Sequence, residues 1–227
     1  MHIQVKICGL ATPETIDAAL GAGADLVGLV HFPRSPRHVS PERAAELAAR
    51  VRGRAQVVCL LVDPDDELAQ RIATVVRPDL LQLHGAETPQ RVHLIRTMTG
   101  LPVIKAIKVA TGQDARAADA YRESADVLLF DAKEPPGATA KLPGGNGIPF
   151  DWRALEGMAD KGPFMLSGGL TPGNVAEAIR LTRAPMVDVS SGVEIRPGVK
   201  DPSRIESFIA AVRAAEQPLS AQQGAKP

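Results

Sequence analysis

Residues 25–62 read DLVGLVHFPRSPRHVSPERAAELAARVRGRAQVVCLLV and contain the unit that decides the fold. The apolar runs at 25–31 and 56–62 each predict a strand. Between them Ser40-Pro41 precedes apolar residues at helical spacing, which predicts a helix capped by Ser40. Both strands are apolar on both faces, as strands of a parallel sheet are when helices cover them. The stretch is therefore a strand–helix–strand unit of an α/β protein.

The same unit recurs along the chain. Strands are predicted near 3–8, 25–31, 56–62, 79–84, 102–108, 126–131, 163–167 and 186–190. Helix starts are predicted where a capping residue precedes proline, at Thr12-Pro13, Ser40-Pro41, Asp63-Pro64, Thr88-Pro89, Thr171-Pro172 and Asp201-Pro202. Eight strands, each followed by a helix, predict a single closed (β/α)8 TIM barrel with parallel strands. An open doubly wound sheet is the alternative, but it usually has fewer strands, and no GxGxxG motif opens the first helix.

Composition and charge limit the function classes. We expect the barrel domain to span 1–215 and a disordered tail to span 216–227, where the sequence loses its periodicity. Twenty-six basic residues balance 26 acidic ones, which gives no indication of binding to nucleic acid or a membrane. Two cysteines cannot form a disulfide framework, and no signal peptide or run of 18 apolar residues is expected. These features predict a cytoplasmic protein.

Two glycine-containing loops follow the last two predicted strands. They read SGGLTPGN at 167–174 and SSG at 190–192. Functional residues of this fold lie at the carboxyl ends of strands, and the loops after strands 7 and 8 often bind phosphate. Glycines let the backbone approach a ligand, and a helix N-terminus favours an anion. The loops predict a phosphate site, unless their glycines only make tight turns. The candidate phosphate-binding residues are Gly168, Gly169, Ser190, Ser191 and Gly192.

Two ionisable residues end predicted strands. Cys8 ends the first strand, where a thiolate could accept a proton or attack a substrate. Asp131 closes the sixth, where an apolar surrounding can raise the pKa of a carboxyl and let it donate a proton. The structural alternatives are a small buried hydrophobe for Cys8 and a turn or cap residue for Asp131. Cys59, in mid-strand, is predicted to be a core residue.

Arg37 and His84 are further candidates. Of Arg34 and Arg37, on a loop stiffened by prolines, we expect one to bind a carboxylate and the other to be solvated. His84 ends the fourth strand, as a structural or a ligand-contacting histidine. No group of His, Cys, Asp or Glu has metal-ligand spacing, so we predict no metal.

The chain resembles the phosphoribosylanthranilate isomerase family of tryptophan biosynthesis. Seven pieces, in the order of the family and covering residues 3 to about 213, carry the resemblance. They are 6–10 (KICGL), 32–37 (FPRSPR), 81–85 (LQLHG), 128–131 (LLFD), 144–147 (GGNG) with 150–152 (FDW), 167–175 (SGGLTPGNV) and 188–194 (DVSSGVE).

The resemblance implies an aldose–ketose isomerase that needs no cofactor. Its substrate would be a phosphorylated aminosugar, N-(5-phosphoribosyl)anthranilate, converted by an Amadori rearrangement to 1-(2-carboxyphenylamino)-1-deoxyribulose 5-phosphate. Cys8 matches the general base, Asp131 the general acid, and Arg37 the arginine that holds the anthranilate carboxylate. The loops at 168–169 and 190–192 match the phosphate site. His84 and Asp188 also fall on motif positions and are expected to support the active site.

Two residues depart from the family pattern, and two other functions compete. Asn146 stands where Thr or Ser is expected, and Ser167 where Ala is commoner. Residues 133–150 are predicted to form a mobile lid.

A histidine-pathway isomerase would use a carboxylate at the end of strand one, where this chain has Cys8. A non-catalytic phosphate sensor would not need an acid–base pair. The sequence does not distinguish a monomer from a homodimer.

Overall fold

The computed structural model describes residues 2–133 and 150–216 and contains a closed barrel of eight parallel strands. The strands pair in chain order, and the last pairs with the first, which confirms the predicted barrel and rules out the open sheet. Each strand end lies within one residue of its predicted position. The strands are β1 Gln4–Cys8, β2 Leu26–Val30, β3 Gln56–Leu61, β4 Leu80–Leu83, β5 Val103–Val109, β6 Val127–Ala132, β7 Phe164–Leu166 and β8 Met186–Val189.

Seven α-helices are described around the barrel. Four of the predicted cap–proline starts are confirmed, because the side chains of Thr12, Ser40, Thr88 and Asp201 accept hydrogen bonds from the first turns that follow them. The helices are α1 Pro13–Ala22, α2 Pro41–Val51, α3 Asp66–Val75, α4 Pro89–Thr99, α5 Gly112–Ala117, α6 Val175–Thr182 and α7 Pro202–Ala215.

The predicted helix start at Asp63-Pro64 is wrong. Asp63 has a φ of 45°, and its carboxylate accepts a hydrogen bond from Ala86 N in the next loop. The helix begins at Asp66 instead, where Asp65 caps it by accepting from Leu68 N. Asp63 therefore links two loops at the carboxyl end of the barrel.

The predicted start at Thr171-Pro172 is wrong as well. Helix α6 begins at Val175, and the residues before it form a turn. Asn174 closes this turn, because its Oδ1 accepts from Thr171 N at 2.7 Å and its Nδ2 donates to Gly169 O at 2.9 Å. The side chain that could have capped α6 is thus used to shape the loop before it.

The sixth and eighth units also depart from the predicted pattern. Between 150 and 163 the described chain forms two single 3-10 turns, Trp152–Leu155 and Met158–Lys161, rather than an α-helix. After β8 an unpredicted antiparallel ribbon appears, formed by β9 Glu194–Arg196 and β10 Val199–Lys200. The predicted lid at 133–150 lies, except for its end residues, outside the described residues, as does Asn146.

Side chains alternate between the two faces of each strand and so form two separate apolar layers. Side chains that face outward pack against the helices, and Cys59 is fully buried among them, which confirms its predicted core position. Burial raises the pKa of the Cys59 thiol to about 12. Side chains that face inward fill the barrel below its carboxyl end; they are Leu26, Val58, Leu80, Ile104, Ala106, Leu129, Met165 and Met186.

The limits of the barrel domain stay a prediction. The tail predicted for 216–227 lies, apart from Glu216, outside the described residues. Within the ranges that the structure covers, no helix is long and apolar enough to cross a membrane.

Candidate active site

The inward-facing side chains continue past the apolar layer into a polar layer at the carboxyl end. Leu129 and Met165 face inward, so Asp131 and Ser167, two residues further on, face inward as well. Parallel strands around a closed barrel bring all such positions to the same end. The sequence-predicted residues that reach this layer are buried, and they are Cys8, His84, Asp131, Ser167 and Asp188.

Asp131 lies at the centre of a hydrogen-bonded group. Lys108 Nζ is 2.8 Å and His84 Nε2 is 3.1 Å from Asp131 Oδ2. Lys108 is the residue opposite Asp131 in the pairing of β5 with β6, which explains their contact. The amide Nε2 of Gln82 lies 2.9 Å from His84 Nδ1. An ionised carboxylate can only accept hydrogen bonds, so His84 donates to Asp131 through Nε2.

These partners keep Asp131 ionised. Burial by itself raises the pKa of the carboxyl, but the hydrogen bonds and charges of His84 and Lys108 outweigh it and bring the pKa of Asp131 to about 2. The expectation of a raised pKa is therefore wrong for this structure. It took the apolar strand into account but not the lysine opposite on the neighbouring strand.

Cys8 lies on β1, which is separated from the Asp131 strand by β7 and β8 around the barrel. Its side chain packs against Val30 and Leu60 and is 4% exposed. Gly28 is opposite Cys8 on β2, and a Cβ there would lie 3.0 Å from the sulfur, so the glycine makes room for the thiol. Burial raises the pKa of the Cys8 thiol, and the adjacent positive charge of Lys6 opposes this rise.

Arg37 is buried, whereas Arg34 on the same loop is exposed. The guanidinium of Arg37 makes two hydrogen bonds to Glu194 of β9, Nε to Oε1 at 2.7 Å and Nη2 to Oε2 at 2.8 Å. Lys200 also donates to Glu194, at 2.8 Å. Burial raises the pKa of Glu194, but Arg37 and Lys200 hold it below its ordinary value. The arginine predicted to bind a substrate carboxylate is thus oriented by a carboxylate of the protein.

The two glycine loops pack closely against their surroundings. Gly168 and Gly169 have φ of 83° and 68°, and a Cβ on Gly168 would lie 2.5 Å from Ala132 N. A Cβ on Gly192 would overlap the carbonyl oxygen of Leu170. The loops after β7 and β8 therefore touch each other through glycine. Lys200 donates to both the carbonyl and the hydroxyl oxygen of Ser190, which fixes the second loop.

Sequence reasoning missed several side chains that the structure brings into this layer. Lys6 has the same strand parity as Cys8 on β1, and Lys108 has the same parity as the inward-facing Ala106 on β5. This parity is the signal that could have identified them. Glu194 belonged to a recognised motif but had no expected role. Among residues 2–133 and 150–216, no group of three or more His, Cys, Asp or Glu could hold a metal ion. The missed residues are Lys6, Gln82, Lys108, Glu194 and Lys200.

A closed parallel barrel with a thiol, a carboxylate–histidine pair and two glycine loops at the carboxyl ends of its strands defines a (β/α)8-barrel enzyme. A comparison with family models matches residues 5–211 to the N-(5′-phosphoribosyl)anthranilate isomerase family. The chain belongs to this family, whose members are isomerases of tryptophan biosynthesis.

Relatives and solved structures agree with this assignment. The chain is 54% identical to an N-(5′-phosphoribosyl)anthranilate isomerase from Rhodopseudomonas palustris over 97% of this chain and 100% of the relative, and 57% identical to one from Nitrobacter hamburgensis over 95% of each. A crystal structure of phosphoribosylanthranilate isomerase with reduced 1-(o-carboxyphenylamino)-1-deoxyribulose 5-phosphate has a TM-score of 0.81 and 34% identity, covering 93% of this chain and 99% of that one. A structure with the same TM-score and identity and the same coverage concerns monomers generated from the dimeric enzyme of Thermotoga maritima.

Proposed function

We propose that this protein converts N-(5′-phosphoribosyl)anthranilate to 1-(2-carboxyphenylamino)-1-deoxyribulose 5-phosphate, with Cys8 as general base and Asp131 as general acid. The proposal rests on family membership together with one observation. The thiol and the carboxylate are buried at the same end of the barrel, on strands that are not neighbours. We place the reaction in the cytoplasm, as the sequence led us to expect.

Asp131 acts first in this proposal. Its carboxyl gives a proton to the furanose ring oxygen, the C1′–O bond breaks, and the nitrogen lone pair forms a protonated Schiff base. The carboxylate is ionised in the free protein, so it must first gain a proton. Substrate that displaces Lys108 removes one of the groups that lower the pKa, and burial then raises it. This proton comes from solvent, and the hydrogen bond with His84 Nε2 keeps the carboxyl oriented.

Cys8 acts second. The Schiff base is an electron sink that acidifies the C2′ hydrogen, and the Cys8 thiolate removes this proton. The electron pair of the C2′–H bond forms the C1′–C2′ double bond and neutralises the iminium nitrogen. The resulting enolamine tautomerises to the ketose, so the reaction needs no added oxidant or reductant.

The two ends of the substrate are anionic, and the proposal assigns a cationic or N–H-rich region to each. Arg37, whose guanidinium is oriented by Glu194, binds the anthranilate carboxylate. The phosphate binds at the loops of Gly168, Gly169 and 190–192. Binding at both ends orients the sugar between Cys8 and Asp131.

The experiment is a turnover assay that follows the loss of the substrate's anthranilate fluorescence. Wild type is expected to turn the substrate over. Cys8→Ala and Asp131→Asn are each expected to lower kcat by about 10²- to 10⁴-fold, the usual contribution of a general acid or base. Cys59→Ala is the matched control and is expected to keep its rate. Binding without turnover by wild type would favour a sensor, and near-normal rates in Cys8→Ala would refute the assignment of the base.

A further inference from the structure

A buried chain of polar side chains crosses three strands beneath the mouth of the barrel. Ser167, after β7, donates its hydroxyl to Asp188 Oδ2 of β8 at 3.2 Å. Lys6 of β1 donates Nζ to the other oxygen of Asp188 at 2.8 Å. Lys6 Cε and the sulfur of Cys8 lie side by side over Gly28, because a Cβ on this glycine would be 3.2 Å from the first and 3.0 Å from the second. Lys6 and Asp188 are opposite each other in the pairing of β1 with β8. The chain therefore ends beside the thiol.

The fold does not require an ion pair at this place. Lys6 is fully buried, and removing an ammonium and a carboxylate from water costs free energy that a pair of apolar side chains would not. The layer directly below is filled by apolar side chains such as Leu129 and Met165. What Lys6 provides, and an apolar residue could not, is a positive charge beside Cys8.

We propose that Lys6 is a positioning residue that stabilises Cys8 as a thiolate, and that Asp188, held by Ser167, limits this effect by sharing the ammonium. This deepens the proposed function and rests on it, because it gives a reason for Cys8 to serve as a base. Lys6 itself does not touch the reacting atoms in this scheme.

The charges around Cys8 give the two partners opposite effects. Lys6 on its own strand and Lys200 on β10 lower the pKa of the thiol, whereas Asp188 on β8 raises it. Cys59 on β3 is near enough to interact with the charge of Cys8, but with a pKa of about 12 it is a neutral thiol at ordinary pH. The pKa of Lys6 lies above its ordinary value because Asp188 and Cys8 outweigh the effect of burial, so Lys6 is an ammonium.

The test measures the charge state of Cys8 without substrate. The rate of iodoacetamide alkylation is followed against pH by mass spectrometry of the peptide that contains Cys8, in a Cys59→Ala background. Lys6→Met is expected to move the midpoint upward by about one pH unit or more, since an adjacent opposite charge is lost. Asp188→Asn is expected to move it downward, because the ammonium then acts on the thiolate alone.

A double variant keeps the test valid, because each single change leaves a buried charge without its partner. Lys6→Met/Asp188→Asn replaces the whole pair by neutral side chains and is expected to titrate above wild type. The matched control is Lys105→Met/Glu87→Gln. It removes another buried pair, whose Nζ–Oε2 distance is 2.6 Å, from the other face of the barrel strands and should leave the midpoint unchanged.

The outcomes separate this inference from the proposed function. Equal midpoints in all variants, or shifts of the same sign in Lys6→Met and Asp188→Asn, would overturn the role of Lys6. If the midpoints shift as expected while Cys8→Ala keeps its turnover, the inference about the charge holds and the assignment of the base fails. A parallel upward movement of the acidic limb of kcat/KM in Lys6→Met would connect the two.

Discussion

At the scale of single residues, the ionisation of Asp131 depends on its neighbours more than on its burial. Two buried groups at the same end of the barrel respond in opposite ways: the pKa of Cys8 is raised and that of Asp131 is lowered. The difference arises because Asp131 has two partners that donate to it, whereas Cys8 shares its cation with Asp188.

Replacing Lys108 should raise the pKa of Asp131. Lys108→Met removes the cation 2.8 Å from Oδ2, so we expect the pKa to rise by about one unit or more from its value of about 2. Carbon-13 NMR of the Asp131 carboxyl against pH measures it. Lys133→Met is the matched control, because Lys133 is near in sequence but pairs with Asp114. An equal shift in both variants would mean that net charge, not contact, sets the pKa.

The same depressed pKa makes Asp131 a source of stability at neutral pH. Its folded pKa lies below that of the unfolded chain, so the contribution is present above about pH 4 and is lost as the pH falls towards 2. The shift from 3.8 to about 2 corresponds to about 2 kcal/mol. The free energy of unfolding, measured with urea, should fall less between pH 6 and pH 2.5 for Asp131→Asn than for wild type. An equal decrease in both proteins would contradict the lowered pKa of Asp131.

At the scale of elements, local signals predicted the strands and four helix starts. They failed where a cap-like residue is bonded to another loop, at Asp63, or where a neighbouring side chain closes a turn, at Asn174. Ser40 caps α2 through Arg43 N, three residues away, and needs nothing else. Asp63 resembles a cap in sequence, but its partner Ala86 comes from another loop. The pairs of Arg37 with Glu194 and of Lys6 with Asp188 are 157 and 182 residues apart, so no local pattern could have shown them.

Replacing Gly192, which packs between the two glycine loops, should affect substrate binding more than replacing a glycine with open space around it. Gly192→Ala would force the loop after β8 away from Leu170, so we expect a raised KM for the phosphorylated substrate with the barrel still folded. Gly21→Ala is the control. Gly21 lies in α1 with no atom within 4 Å of the new Cβ, so this change should raise the free energy of unfolding by about 0.5–1 kcal/mol. Steady-state kinetics and urea unfolding test both. An unchanged KM in Gly192→Ala would argue against this loop as the phosphate site.

At the scale of the molecule, the barrel is held at its amino end by aspartates that join strands in pairs. Asp25, Asp79 and Asp126, each just before an even-numbered strand, accept hydrogen bonds from backbone N–H groups at the starts of β1, β3 and β5 at 2.6–2.8 Å. The functional layer lies at the opposite end. The aspartates that join the strands and the residues proposed for catalysis thus lie at different ends of the same strands.

Arg213 of α7 connects the last unit to the first and should contribute to stability without affecting catalysis. It donates to Ile3 O at 2.7 Å, to Gly23 O at 2.9 Å and to Asp25 Oδ2 at 3.0 Å. Arg213→Ala leaves the carbonyl oxygens of Ile3 and Gly23 without this donor at the seam where the barrel closes, and Asp25 loses the guanidinium but keeps its bond from Val5 N. We expect a loss of about 1–3 kcal/mol in the free energy of unfolding, measured with urea, and an unchanged kcat/KM at 25 °C.

The control for Arg213 is Arg71, which pairs with Glu42 between α3 and α2 with both side chains more than half exposed. Water screens this pair, so Arg71→Ala should change stability by no more than about 0.5 kcal/mol. Equal losses in the two variants would mean that the removal of any surface arginine weakens this protein. A drop in kcat/KM for Arg213→Ala would mean that the closure of the barrel at its amino end affects the layer of Cys8 and Asp131. Ile3 directly precedes β1 and lies only five residues before Cys8, which ends that strand.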